Sequence, residues 1–355
     1  MKKRMQLIVA GFVVMAASHV WANSAPVVSN VSASQRGDDS KLVDITYNLA
    51  DADGDSCTVW IAVSNNGGSS WRVPARTFSG DVGQGITPGS NKAVAWDAGN
   101  DMAGMVGSFK VRVFADDGNA PESMVLVGSG WFPYQNTFDP EAWVYVDSFM
   151  MGKYEVTNAQ YVQFLNNADP TAQHWTSNME IDRFGDSGSY TYEVHDGREN
   201  YPIRYASFYD AEAYCTWLSG QTGLTYRLPN HHKWEKAAGW DPVEQHYYIY
   251  GFHRDTIDCS WCNYHKGMSM CYGGPLPVGS FDGTGGKEDA ESYYGCYDMS
   301  GNVWEWTSEV SGSYRVLRGG YWGDNAANCQ VAYRYGSTPS NRYDYFGFRL
   351  ALDLD

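Results

Sequence analysis

From Trp240 to its C-terminus the chain has almost no helical period, and glycine, asparagine, tyrosine and tryptophan dominate. A domain that ends this way has no long regular ladders to rely on. Its shape must come from aromatic packing, bound ions and irregular backbone hydrogen bonding. The most informative segment is Gly301-Asn302-Val303-Trp304-Glu305-Trp306, followed by Arg318-Gly319-Gly320-Tyr321-Trp322 and closed by Gly347-Phe348-Arg349. A carboxylate between two tryptophans is expected to be buried, and a buried acid needs a cation or a hydrogen-bond donor. Glu305 therefore requires a partner from elsewhere in the chain or from solution.

Residues 1–22 combine a basic start (Lys2, Lys3, Arg4), an apolar run from Leu7 to Ala17 and the small-residue end Val20-Trp21-Ala22, which together read as a secretory signal peptide. The run is short for a bilayer span, which needs about 20 apolar residues. The expected product is an exported chain, periplasmic or extracellular, with no membrane insertion after cleavage. Its formal net charge is −16, and loss of the three basic residues of the signal leaves −19. Such a surface repels phosphate backbones and anionic lipid, so nucleic acid and membrane surfaces are excluded as expected partners. The seven cysteines are Cys57, Cys215, Cys259, Cys262, Cys271, Cys296 and Cys329. An odd number in an exported chain leaves at least one thiol unpaired. Cys259-x-x-Cys262 with Cys271 has no second CxxC to complete a zinc site, so a local disulfide or buried thiols are expected there.

Residues 26–118 read as a first domain. Lys41–Tyr47, Thr58–Val63 and Phe109–Phe114 alternate apolar and polar side chains as half-buried strands do, and Asp/Asn/Gly clusters separate them. The pattern suggests a β-sandwich similar to an immunoglobulin or fibronectin type III module. Asp51, Asp53 and Asp55 have the spacing of an EF-hand start, but position twelve falls on Ala62, so a solvated acidic turn is expected. The run Asp116–Pro121 reads as a linker.

Residues 122–355 form the second domain. Thr157 and Gln160 make a capping box ahead of an apolar stripe at Tyr161, Phe164 and Leu165. Ser207 and Asp210 start a second helix running to Gly220, with Cys215 on its apolar face. A third follows Asn230 and stops at Gly239. His231 and His232 are sequence neighbours, which places them on different faces of it and argues against a shared metal.

Across this second domain the ordered set Lys153–Asn158, Tyr226–Pro229 with Trp234-Glu235, Pro277–Gly279, Gly295–Trp306, Arg318–Gly320 and Pro339–Arg349 resembles the formylglycine-generating enzyme, or sulfatase-modifying factor, family. The resemblance implies an irregular α+β domain related to the C-type lectin fold, so that with the β-sandwich read before it the whole chain is expected to be α+β. It also implies calcium beside the tryptophan-glutamate segment, taken by Asp298, Gly301 and Val303 chiefly through backbone oxygens and by the Glu305 carboxylate. A second family calcium site would use Asn263, Tyr264 and Tyr272, but its carboxylate position is Met270.

Active members of the family resemble copper oxidases in which two cysteine thiolates hold Cu(I) and receive a substrate cysteine. The resemblance puts Asp324 at the first of these positions and Cys329 at the second, with Tyr321 where a serine usually stands. Soft thiolates select Cu(I), and a carboxylate replaces one poorly. The expectation is therefore a non-oxidising domain that binds a peptide, protein or glycan in the old substrate cleft, with the tyrosines from Tyr333 to Tyr345 as its face. The alternative is an active copper-dependent oxidase converting a sulfatase cysteine to formylglycine. A non-haem iron site would need a histidine grouping that the sequence does not display.

Overall fold

The computed structural model describes residues 26–68, 73, 75–102, 109–116, 124–134, 142–222 and 224–353. The signal segment and the body of the linker after Asp116 lie outside them. Over the first domain the expected strands are present as Leu42–Ala50, Cys57–Ser64 and Lys110–Asp116. One sheet orders Val27–Gln35, Leu42–Ala50, Gly89–Asp97 and Phe78–Gly80, and another orders Gly83–Ile86, Cys57–Ser64 and Lys110–Asp116. Alternate residues of both sheets, Ile45, Tyr47 and Leu49 with Val59, Ile61 and Val63, enter one buried cluster around Trp96. This is the period of two that the sequence carries. Asp51 Oδ1 accepts the N–H groups of Asp53, Gly54 and Asp55, so the acidic run is a self-capped turn.

In the second domain a four-stranded antiparallel sheet orders Tyr226–Arg227, Ala351–Asp353, Phe149–Gly152 and Met124–Val127. It separates two cores. Met150 and Leu352 face a cluster with the helices Asn158–Ala168 and Phe208–Thr222, while Phe149, Met151 and Ala351 face Trp234 and Trp240. The first helix begins with both halves of its capping box, Thr157 accepting from Gln160 N and Gln160 Oε1 accepting from Thr157 N. The second is capped by Ser207 and Asp210 and runs past Gly220 to Thr222. The third, His231–Gly239, is capped by Asn230. Residues after Trp240 are mostly turns and bends, with a second sheet ordering Tyr335–Ser337, Tyr314–Arg318, Trp304–Ser311 and Phe346–Gly347. No helix among the described residues is long and apolar enough to cross a membrane.

Candidate functional site

Trp304-Glu305-Trp306 opens a strand, Trp304–Ser311, and the strand's alternation explains the motif. Trp304 and Trp306 point into the helix-bearing core, and Glu305 points the other way. There its two oxygens are both engaged. Arg349 donates from Nε to Glu305 Oε2 at 2.6 Å and from Nη2 to Oε1 at 2.7 Å, and Trp234 Nε1 donates to Oε2 at 2.6 Å. Arg349 also donates to the carbonyls of Gly152, Lys153 and Tyr297, which ties three segments to one guanidinium. Both side chains are 0% exposed. A second buried pair joins Arg318 to Glu235, and Arg318 further holds the carbonyls of Ala332 and Tyr333. The two arginines thus replace the missing ladders with fixed, charge-assisted donors.

Around Arg349 there is more acid than base. Glu155 is buried, with Oε2 accepting from Asn302 Nδ2 at 3.0 Å and Oε1 without a partner among the described residues. Burial, then the charges of Asp298 and Glu305, push the Glu155 carboxyl well above its ordinary range. Burial likewise pushes Asp298 up to about 6, although its Oδ2 accepts Gly279 N at 2.6 Å. The residues expected to hold calcium are neighbours; the expectation rests chiefly on the backbone oxygens of Asp298, Gly301 and Val303, while the acidic side chains are already engaged. Glu305 is occupied by Arg349 and Trp234, Asp298 by Gly279, and among the described residues no three His, Cys, Asp or Glu side chains converge on a cation position. Gly301 has another reason to be glycine: its φ is +81°, and a Cβ there would lie 2.2 Å from Asn263 O and 2.7 Å from Cys262 Sγ.

The loop after Gly320 holds the remaining expected residues. Tyr321 packs against Tyr345 at a ring separation of 4.5 Å. Asp324 is partly buried, which raises its carboxyl, and it accepts from Asn328 Nδ2 at 2.7 Å while its carbonyl accepts His265 N. Cys329, further along the loop, is fully buried, its sulfur lies beneath Gly320, where a Cβ would approach it to 2.8 Å, and its side chain neighbours the thiol of Cys262. Cys262 Sγ in turn donates to Ser300 O at 2.9 Å. Burial, then the side chain of Cys329, push the Cys262 thiol far above its ordinary value. These donors do not make a soft pair for Cu(I): Asp324 offers a hard carboxylate, and Cys262 and Cys329 are both buried, closed to a third thiolate.

Between Trp304 and the surface lies an aromatic face. Tyr333 and Tyr335 stand at 5.9 and 5.5 Å from Trp304, Tyr343 stacks on Tyr345 at 5.3 Å, and Tyr321 completes the row. Tyr333, Tyr335 and Tyr343 are 38%, 38% and 41% exposed, so these rings pack in tilted and stacked pairs and still present a surface. The histidines behave differently from the expectation in one respect: the rings of His231 and His232 meet at 3.9 Å beside Tyr134, because both turn toward the same neighbour. Each described histidine near an acid meets a single carboxylate, His231 with Glu309, His174 with Asp210. The sequence reading gave Glu155 and Glu235 no role, although both stand in the strings that carry the resemblance, and it missed the Cys262–Cys329 approach. Glu155 left a further signal, as an acid inside Tyr154-Glu155-Val156, a run otherwise fit for the core.

Comparison with known proteins places this geometry. The family model described as sulfatase-modifying factor enzyme 1-like domain matches residues 110–354, starting within the strand Lys110–Asp116. Hercynine oxygenase of Mycobacterium tuberculosis is 28% identical over 243 residues, covering 59% of this chain and 53% of that protein. Inactive C-alpha-formylglycine-generating enzyme 2 of Bos taurus is 33% identical over 168 residues, covering 42% and 50%. Formylglycine-generating enzyme of Mus musculus is 26% identical over 275 residues, covering 60% and 68%. The chain thus spans about half the length of the hercynine oxygenases it matches. Among solved structures, CarF superposes with a TM-score of 0.52 at 22% identity, covering 66% of this chain and 99% of that one, a likeness of fold.

Proposed function

Since the chain belongs to the sulfatase-modifying factor family, we propose that it is an exported, non-oxidising member that binds a peptide or glycan on the face formed by Tyr321, Tyr333, Tyr335, Tyr343 and Tyr345. The observation that supports this reading is the burial of Cys329 beneath Gly320, taken with the resemblance, which puts Asp324 at the first cysteine position and Cys329 at the second. An oxidase of this type must bring a substrate thiolate to the metal, and a pair buried from solvent offers no such approach. What remains is a rigid scaffold presenting tyrosines. Tyrosine gives large contact area at low entropic cost, with a hydroxyl to satisfy polar edges, which suits peptide backbone and sugar faces alike. The N-terminal module, read as an immunoglobulin-like sandwich, serves as the spacer that carries this face. No part of the reading needs calcium.

The family contains both oxidising and inactive relatives, so the test must separate them. The purified chain is loaded with Cu(I) under reducing conditions, desalted, and assayed for bound copper and for aldehyde formation on a cysteine-containing sulfatase peptide. The expected result is copper at background and no aldehyde. In parallel, tryptophan fluorescence is titrated with tyrosine-rich peptides and with chito- and cello-oligosaccharides, where saturable quenching that is lost in a Tyr343→Ala, Tyr335→Ala variant is expected. Stoichiometric copper that disappears in Cys329→Ser, together with aldehyde, would overturn the reading in favour of the oxidase.

A further inference from the structure

We propose that Cys262 and Cys329 are a cross-linking site: the two thiols close to a second disulfide that staples the Cys259–Cys271 loop to the segment carrying Tyr321 and Asp324. Four observations carry this. After burial, the Cys329 side chain is the neighbour that most raises the Cys262 thiol, which puts the two beside one another. Both belong to one small buried cluster with Tyr250, Phe252, Tyr264 and Phe281, and are 1% and 0% exposed, so neither has a competing partner in solvent. Ser300 braces both, accepting from Cys262 Sγ through its carbonyl and donating from Oγ to Cys329 O at 2.7 Å. The same two segments are already joined by His265 N to Asp324 O at 2.7 Å, so a covalent link there adds to an existing contact rather than creating a new one.

Two glycines make the approach possible. A side chain at Gly301 would collide with Cys262 Sγ, and one at Gly320 with Cys329 Sγ. The backbone around the pair is thereby cleared on both sides. Cys259, three residues before Cys262, is already bonded to Cys271. With the second link closed, the odd count of cysteines is resolved as two disulfides and three thiols, at Cys57, Cys215 and Cys296.

Burial of the folded thiols means that closure occurs while the chain folds. One cysteine thiolate attacks an external disulfide such as oxidised glutathione, forming a mixed disulfide and releasing one glutathione thiolate. The second cysteine thiolate then attacks the protein sulfur of that mixed disulfide, forming Cys262–Cys329 and releasing the other glutathione. The protein pair loses two electrons and two protons, and one glutathione disulfide is reduced to two thiols.

The test uses the full chain refolded in glutathione redox buffer, acid-quenched, unfolded and alkylated, with alkylated cysteines counted by intact mass and linked peptides mapped without reduction. The expected count is three alkylated cysteines with a Cys262–Cys329 peptide, against seven after full reduction. A Cys262→Ala variant should raise the oxidised count from three to four, with the added label on Cys329. A count of five on the oxidised wild type, with Cys259–Cys271 intact, would overturn the proposal, as would linkage of Cys262 or Cys329 to any other cysteine. The wild-type count decides the matter even where the variant fails to fold.

Discussion

Replacing Arg349 by methionine tests the central claim about this fold, that buried guanidinium groups stand in for regular secondary structure. The substitution removes five hydrogen bonds: two to Glu305 and one each to the carbonyls of Gly152, Lys153 and Tyr297. Breaking a buried ion pair from one side costs about 3–5 kcal/mol, because the remaining charge is left in a medium that cannot solvate it. The three carbonyls lose their donor in the same place, at roughly 1 kcal/mol or more each. These contributions overlap, so a total of about 4–6 kcal/mol is expected. That is comparable with the whole stability of an ordinary domain, about 5–15 kcal/mol. Urea denaturation followed by tryptophan fluorescence should accordingly show the second domain's transition shifted far toward zero denaturant or lost. Arg349→Lys keeps the charge but not the fork, and should fall between the two. The double variant Arg349→Met, Glu305→Gln removes the stranded charge and should recover at least about 2 kcal/mol relative to the sum of the single losses. As a control, Arg36 pairs with Asp44 on the surface, both well exposed, and Arg36→Ala should leave the midpoint where it was. A loss under about 1 kcal/mol for Arg349→Met, or single effects that merely add, would refute the reasoning, since such values belong to surface pairs.

Three further outcomes are expected. Glu155 and Asp298 have folded values raised above their unfolded ones, Asp298 to about 6; the folded chain then holds more protons than the unfolded one, so in chelator stability should fall as pH rises from about 4 through 6, by roughly 2–3 kcal/mol for a shift of that size. Glu155→Gln should flatten that fall, and an unchanged slope in pH-dependent denaturation would contradict it. Thr157→Ala deletes the side-chain half of the capping box and should cost about 1 kcal/mol in the same denaturation assay. Asp324→Cys restores a thiol at the family position but meets no partner, because Cys329 is directed at Cys262; copper per chain after desalting should stay at background, and a stoichiometric value would show that the placement of Cys329 is wrong.

The elements legible in the sequence were those set by neighbours along the chain. Thr157 with Gln160, Ser207 with Asp210, and the alternation of Ile45, Tyr47 and Leu49 each state their structure within a few residues, because capping and pleating are local effects. The helix that overran Gly220 by two residues is the usual looseness of helix ends. The site was legible in composition and not in connection. That Glu305 needs a partner follows from its flanking tryptophans, whereas its meeting with Arg349 depends on a strand pairing, Glu305 with Gly347, that brings the chain's end alongside. Cys262 and Cys329 belong to different loops, and nothing near either one names the other. His231 and His232 failed for the opposite reason: the rule about helix faces fixes Cβ directions, and two long aromatic side chains at a helix start can still swing to one neighbour, Tyr134.

The division of labour among these residues explains how such a domain could lose an oxidative site and keep its shape. Arg349 and Arg318 hold their carbonyls and acids on the buried side of the strand Trp304–Ser311 and its partner, and none of those contacts involves Asp324 or Cys329. The aromatic face is supported from the other side, by Trp304 under Tyr333 and Tyr335 and by Tyr345 under Tyr343. The loop between Gly320 and Cys329 is therefore bracketed by two independent supports. The carboxylate of Asp324 in that loop is held locally by Asn328, with no part in the contacts of either arginine. What the loop cannot absorb is a side chain at Gly320, since φ there is +81° and the space is filled by Cys329. Gly319 and Gly320 are thus required by backbone conformation and packing, whatever chemistry the loop after them performs.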